Sequence, residues 1–280
     1  GKLLPGRFGG SPFDVWPGQN QVIWVDVAVP KDAPAGQYAG VVRVAPKDTA
    51  AVELPVTLTV WDFALPDGPT HENHFGGVDR IHTYLGLARD SEEFHRIEER
   101  YEALLAEHRI NPAFPRRLWP AIQEDGTADF SGVDAGISAF VERFHVTNLE
   151  IPRAPFGDVL GADREKAKNF MRSWYAYLDS KGWAGRSYHY MLDEPNTPEQ
   201  YETVRKLGAL VSEAEPRIRR LVVEQPYTQD PAWGALDDAI DIWCPLFGFI
   251  HEPSVAAKQA QGDAVWSYTA LVQRAPAYHP

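Results

Sequence analysis

The sequence has one cysteine, Cys244, in 280 residues. A single thiol excludes an intrachain disulfide framework and a cluster of cysteine metal ligands. Positive charge is also scarce: 27 Lys and Arg stand against 39 Asp and Glu, for a formal net charge of -12. That balance argues against a nucleic-acid partner, because neutralising phosphates requires Lys and Arg. It also suits an anionic membrane surface poorly, and no apolar run reaches the length that would span a bilayer. Phosphate-loop spacing is missing, since Gly9-Gly10 and Gly76-Gly77 stand alone. No Gly-x-Ser-x-Gly nucleophile elbow occurs. His71-Glu72-Asn73-His74 sets two histidines three apart and lacks the His-Glu-x-x-His spacing of a zinc helix. Neither a metal nor another cofactor is therefore expected.

What the chain has is aromatic surface and patterned strands. It carries 9 Trp and 12% aromatic residues. Ile23, Val25, Val27 and Val29 alternate with Trp24, Asp26 and Ala28, the period of a half-buried strand. Further strands are expected near Tyr38 to Val44 and Glu53 to Val60, with Pro/Gly-rich turns between them. Three or four such strands make a partial β-sandwich over residues 1–65. After the linker Leu65-Pro66-Asp67-Gly68-Pro69-Thr70 the pattern changes. Helix faces are marked by Phe94, Ile97, Tyr101, Leu104 and Leu105, by Phe170, Met171, Trp174, Tyr177 and Leu178, and by Tyr201, Val204, Leu207, Leu210 and Val211. They alternate with seven strand candidates: 74–76, 110–114, 148–151, 188–192, 220–224, 241–247 and 264–268. Repeated βα units predict a (β/α)8-type barrel over residues 66–280. Seven strands are one short of closure, so the expectation includes a missing last βα unit. The fold class read from the sequence is thus multidomain, β plus α/β.

The stretch richest in chemistry is Tyr188-His189-Tyr190-Met191-Leu192-Asp193-Glu194-Pro195. A β-prone run ends in two adjacent acids, and a helix start follows at once with Thr197 as cap, Pro198 in the first turn and Gln200 closing a capping box. Asp193 and Glu194 thus fall at a strand's C-terminal end, where barrel enzymes build their sites. Two such acids suit glycoside chemistry: one protonates a leaving oxygen and the other stabilises positive charge. They equally suit a capping loop at the positive end of a helix dipole. By strict alternation Tyr190 shares a face with Tyr188 and Leu192, opposite His189 and Asp193. Other strand ends add Glu224, Trp243, Trp266 and Tyr268. Glu224 can bond a sugar hydroxyl or sit as a solvated loop acid. Trp243 and Trp266 can stack on a sugar face or belong to the core.

Three segments together resemble glycoside hydrolase family 123 and its relatives. They are Pro34-Ala35-Gly36-Gln37-Tyr38-Ala39-Gly40, the join Trp61-Asp62-Phe63-Ala64-Leu65-Pro66, and Asp193-Glu194-Pro195. The resemblance implies a β-sandwich with a (β/α)8 barrel, a secreted or periplasmic setting, and a glycan or glycoconjugate substrate. It implies retaining cleavage of a β-linked 2-acetamido sugar assisted by the substrate's own acetamido group. Glu194 would be the general acid/base and Asp193 would orient that group. The strand-end positions, independently of the resemblance, make Tyr190, Glu224, Trp243, Trp266 and Tyr268 the expected substrate-binding residues. Two alternatives stand beside it. One is a glycosidase of other specificity that uses Glu194 with Glu224. The other is a carbohydrate-binding protein without turnover.

Overall fold

The computed structural model describes residues 13–76, 78 and 80–270. Gly9-Gly10, Gly77 and the stretch 271–280 lie outside the described residues. The chain divides into two compact units, Gly1–Leu65 and Pro66–Pro280.

In the first unit β1 (Gly36–Val44) and β2 (Val52–Val60) form an antiparallel hairpin, with Gly36 opposite Val60 and Val44 opposite Val52. The expected sandwich is not formed. Among the described residues the sheet has two strands, and the alternating stretch from Ile23 to Val29 runs without a ladder. Alternation gives a segment two faces, but only backbone pairing makes it a strand.

The second unit runs α1 (Ile81–Leu85), α2 (Glu92–Glu107), β3 (Ala121–Ile122), β4 (Ala128–Asp129), α3 (Asp134–Arg143), β5 (Leu149–Ile151), α4 (Arg164–Ser180), β6 (Ser187–Asp193), α5 (Pro198–Ala214), β7 (Arg219–Val223), β8 (Ile242–Trp243), α6 (Glu252–Gln261) and β9 (Ala264–Val265). Strands β5-β6-β7-β8-β9 form one parallel sheet in sequential order. The sheet and its helices are α/β. The expected (β/α)8 barrel is corrected to this open, five-stranded arrangement.

The first two barrel-strand candidates explain part of the difference. The stretches 74–76 and 110–114 carry no strand. Pro112 lacks a backbone donor, and side-chain amides take over the bonding. Asn111 N donates to Asn73 Oδ1 at 2.7 Å, Asn111 Nδ2 to the Asn148 carbonyl at 2.9 Å, and Asn148 Nδ2 to the Asn73 carbonyl at 2.9 Å. Three asparagines thus tie the two segments to the start of β5 where a ladder would otherwise run.

Two of the described α-helices start on a side-chain cap. Ser91 accepts from Phe94 N at the head of α2, and Thr197 accepts from Gln200 N at the head of α5. One face of the sheet packs on the helices: Leu149, Ile151, Met191, Val222 and Trp243 join Phe170, Met171, Trp174 and Leu178 of α4 in the main core. Each large apolar side chain fully buried there contributes about 1.5–3 kcal/mol. Gly208 lets α5 approach the 237–239 turn, since a Cβ there would lie 2.9 Å from the Ala239 Cα. The other sheet face carries a smaller cluster of Tyr188, Leu221 and Ile242, with Tyr190, Val223, Ala264 and Trp266 packed on it. We call this the inner face.

Helix α2 departs from its expected apolar stripe. Tyr101 and Leu104 are exposed, whereas Glu98 and Glu102 are buried at 4% and 2% exposure. Arg117 accounts for the inversion. Its Nη1 bonds Glu98, and its two Nη groups grip Glu102 at 2.8 and 2.6 Å.

Candidate active site

The inner face ends, at its C-terminal edge, in the acids singled out above. A bulge in β6 decides which way they face. Tyr190 pairs with Leu221 and Leu192 with Val222, so three residues of β6 oppose two of β7, and Met191 is the extra one. Met191 and Leu192 both turn to the main core. Asp193 then pairs with Val223, an inner-face residue. The expected alternation, with Asp193 opposite Tyr190, is thereby overturned. The Tyr190 hydroxyl donates to Asp193 Oδ1 at 2.5 Å. Glu194 follows with φ at +42°, a left-handed conformation costing a non-glycine residue roughly 1–2 kcal/mol. Its carboxylate receives the Tyr268 hydroxyl. Both acids are exposed. Burial and the neighbouring carboxylate raise both tyrosine pKa values, so the two hydroxyls stay protonated as donors.

Tyr190 and Tyr268 therefore converge with Asp193 and Glu194. Trp266 lies on the inner face edge-on to Tyr188, with ring centroids 5.2 Å apart, and is half-buried. Trp243 does not join them. Its neighbour Ile242 takes the inner face, so period two sends Trp243 to the helix side, where Nε1 donates to Asp263 Oδ2 at 2.9 Å. Glu224 stands apart as well. It is 3% exposed and accepts from Gln225 N and Gln229 Nε2, both at 2.9 Å. Burial pushes its carboxyl up to about 7. The same Gln229 amide donates to the Pro195 carbonyl at 2.9 Å. Glu224 thus braces the turn that carries Glu194.

Three inner-face residues were not among the expected site residues. Glu150 is paired in register with Tyr188, and burial, partly offset by Arg153, pushes its carboxyl up to about 7. His74 Nδ1 is 2.5 Å from the Tyr188 hydroxyl and 3.8 Å from Glu150 Oε2. Arg153, two residues beyond the end of β5, donates Nε–H to the Tyr190 carbonyl at 3.1 Å and lies over the Tyr190 ring at 5.0 Å. For Arg153 the usable signal was a polar residue just after the β5 candidate, the same signal that marked later strand ends. Cys244 is buried near Asp193, and its thiol is pushed up to about 11, by burial first and the Asp193 charge second. Among the described residues no three His, Cys, Asp or Glu side chains gather to share a metal ion. No helix among them is long and apolar enough to cross a membrane.

No family model matches the chain, and no curated protein matches it. Among solved structures it is similar to a protein from Silicibacter pomeroyi DSS-3 provisionally assigned as a glycerophosphoryl diester phosphodiesterase. Identity is 12% and the TM-score 0.32, over 48% of this chain and 44% of that one. So distant a likeness carries no argument about chemistry. The resemblance to glycoside hydrolase family 123 is overturned: no family model supports it, and the sandwich and closed barrel it implied are not formed among the described residues. Its motifs are short. Acetamido participation loses its support with the family.

Proposed function

We propose that the C-terminal edge of the parallel sheet is a hydrolase active site acting on a glycosidic bond. Glu194 is its general acid/base, and Asp193 stabilises the positive charge that develops as the bond breaks. The observation that supports this most is the β6 bulge, which puts Asp193 on the face of Tyr190 while Tyr268 holds Glu194. Each acid is exposed to a substrate and fixed by one phenol, the combination a proton-transfer residue needs. A pair of Glu194 with Glu224 is less favoured, because the Glu224 carboxylate is buried and already bonded. Binding without turnover is less favoured too. Trp243 is turned into the core and Trp266 is packed on Tyr188, which leaves neither as an open platform.

The test is a panel of chromogenic aryl glycosides together with a bis-aryl phosphodiester, run on wild type and Glu194→Gln. Turnover of a glycoside that drops about 10²–10⁴-fold in the variant, with an unchanged melting curve, is the expected result. Wild-type-like activity in Glu194→Gln removes Glu194 from the chemistry. Turnover of the phosphodiester alone replaces the glycosidic bond with another substrate class.

A further inference from the structure

Seven arginines of the second unit, Arg117, Arg143, Arg164, Arg205, Arg217, Arg219 and Arg220, each pair with a carboxylate. Arg153 does not, and it stands at the edge of the candidate site. It is exposed at the C-terminal edge of β5, and among the described residues no carboxylate lies within ion-pair distance of it. Its Nε–H is taken by the Tyr190 carbonyl and its Cζ lies over the Tyr190 ring, 5.0 Å from the centroid. Both Nη groups are left without a hydrogen-bond partner among the described residues. In a chain of net charge -12, an arginine that is anchored at one end and unpaired at the other is a prepared fork. The fork geometry of guanidinium matches a carboxylate, sulfate or phosphate through two parallel N–H···O bonds. The register places it beside the site. Ile151 pairs with His189, so two residues on, Arg153 stands level with the bulge that delivers Asp193. The Tyr190 ring lies under the guanidinium, and its hydroxyl is the group that reaches Asp193.

We propose that Arg153 is the specificity determinant of this site, and that the substrate carries an oxyanion group which its two Nη groups hold. The proposal rests on the hydrolase reading of Asp193 and Glu194, so its test has an arm that needs no turnover. Acetate, sulfate and methyl phosphate are titrated separately into wild type, Arg153→Gln and Arg153→Lys, following the Arg153 Nε–Hε signal and calorimetry at two salt concentrations. At least one anion should shift that signal and bind more weakly at high salt. Affinity for it should fall at least about tenfold in Arg153→Gln, with Arg153→Lys between, because a lysine keeps the charge and loses the fork. Glu194→Gln should bind the anion like wild type. In the second arm, aryl glycosides bearing a 6-carboxylate, 6-sulfate or 6-phosphate are compared with the neutral sugar. One charged substrate should have the higher kcat/KM, and Arg153→Gln should erase that preference. If no anion moves the Arg153 signal, or Arg153→Gln binds anions as wild type does, the proposal is wrong. Anion binding that is intact and Arg153-dependent, with no glycoside turned over, upholds it and counts against glycoside hydrolysis alone.

Discussion

Glu224 gives a prediction that needs no substrate. Its carboxyl is 3% exposed, accepts bonds from Gln225 N and Gln229 Nε2, and is pushed by burial from 4.5 to about 7. The folded chain therefore holds this proton over a pH range in which the unfolded chain has released it. Its contribution to stability is complete below about pH 4.5 and is lost as pH rises through 7. At 1.36 kcal/mol per pKa unit, that span corresponds to about 3 kcal/mol. Glu224→Gln keeps the shape and an accepting oxygen but cannot ionise. The new amide adds a cost of its own, since its NH₂ needs acceptors, but that cost does not vary with pH. The stability difference between variant and wild type should thus move in the variant's favour by up to about 3 kcal/mol between pH 4.5 and pH 8. Glu150, shifted in the same direction, is present in both proteins and cancels. Urea denaturation at half-unit pH steps reads the difference directly. Two stability curves that stay parallel from pH 4.5 to 8 would refute the reasoning and show that Glu224 titrates as an ordinary carboxyl.

The buried Glu98–Arg117–Glu102 group predicts that Arg117→Met destabilises the chain by about 3–5 kcal/mol at neutral pH, because two buried carboxylates lose their counter-charge. Burial already raises the Glu102 pKa, so acid should protonate the orphaned carboxyls and shrink that loss; denaturant curves at pH 5 and 8 give the comparison. Tyr190→Phe and Tyr268→Phe each remove one bond to Asp193 or Glu194. Each should lower turnover of whichever substrate the wild type accepts while costing only about 0.5–1.5 kcal/mol of stability, and equal turnover in both variants would mean the phenols do not position the acids.

The sequence showed the units of this fold better than their number. The start of α5 was readable because capping is local: Thr197 accepts from Gln200 N, three positions on, as expected. The strands after residue 148 were readable because they are apolar runs between helices. The sandwich and barrel were not, because closure depends on distant backbone partners. Ile23 to Val29 alternates as well as β2 does, yet among the described residues no neighbour pairs with it. The stretch 110–114 is apolar enough for a strand, yet Pro112 and three asparagine amides replace its ladder. The stripe of α2 misled for the opposite reason. Apolar Tyr101 and Leu104 face water while Glu98 and Glu102 are buried, since a guanidinium 15 residues away from Glu102 neutralises them.

The candidate site turns on the same distinction between local pattern and partner. Adjacent acids on a regular strand point to opposite faces, and strict alternation sent Asp193 away from Tyr190. The bulge at Met191 shifts the phase by one residue, so Leu192 takes the core position and Asp193 the inner one. Nothing in Tyr190-Met191-Leu192 announces this. The extra residue is defined by Leu221 and Val222 across the ladder, 30 or more residues on. Its consequence is specific: Asp193 gains the Tyr190 hydroxyl, and Glu194, released from the ladder with φ at +42°, gains that of Tyr268. Two departures from regular strand geometry in five residues carry a local energetic cost. They are held by contacts from outside the strand: Arg153 on the Tyr190 carbonyl, Gln229 on the Pro195 carbonyl, and Glu224 behind Gln229. Since a capping loop requires none of these, their concentration around one pair of exposed acids favours a working site over a helix lead-in.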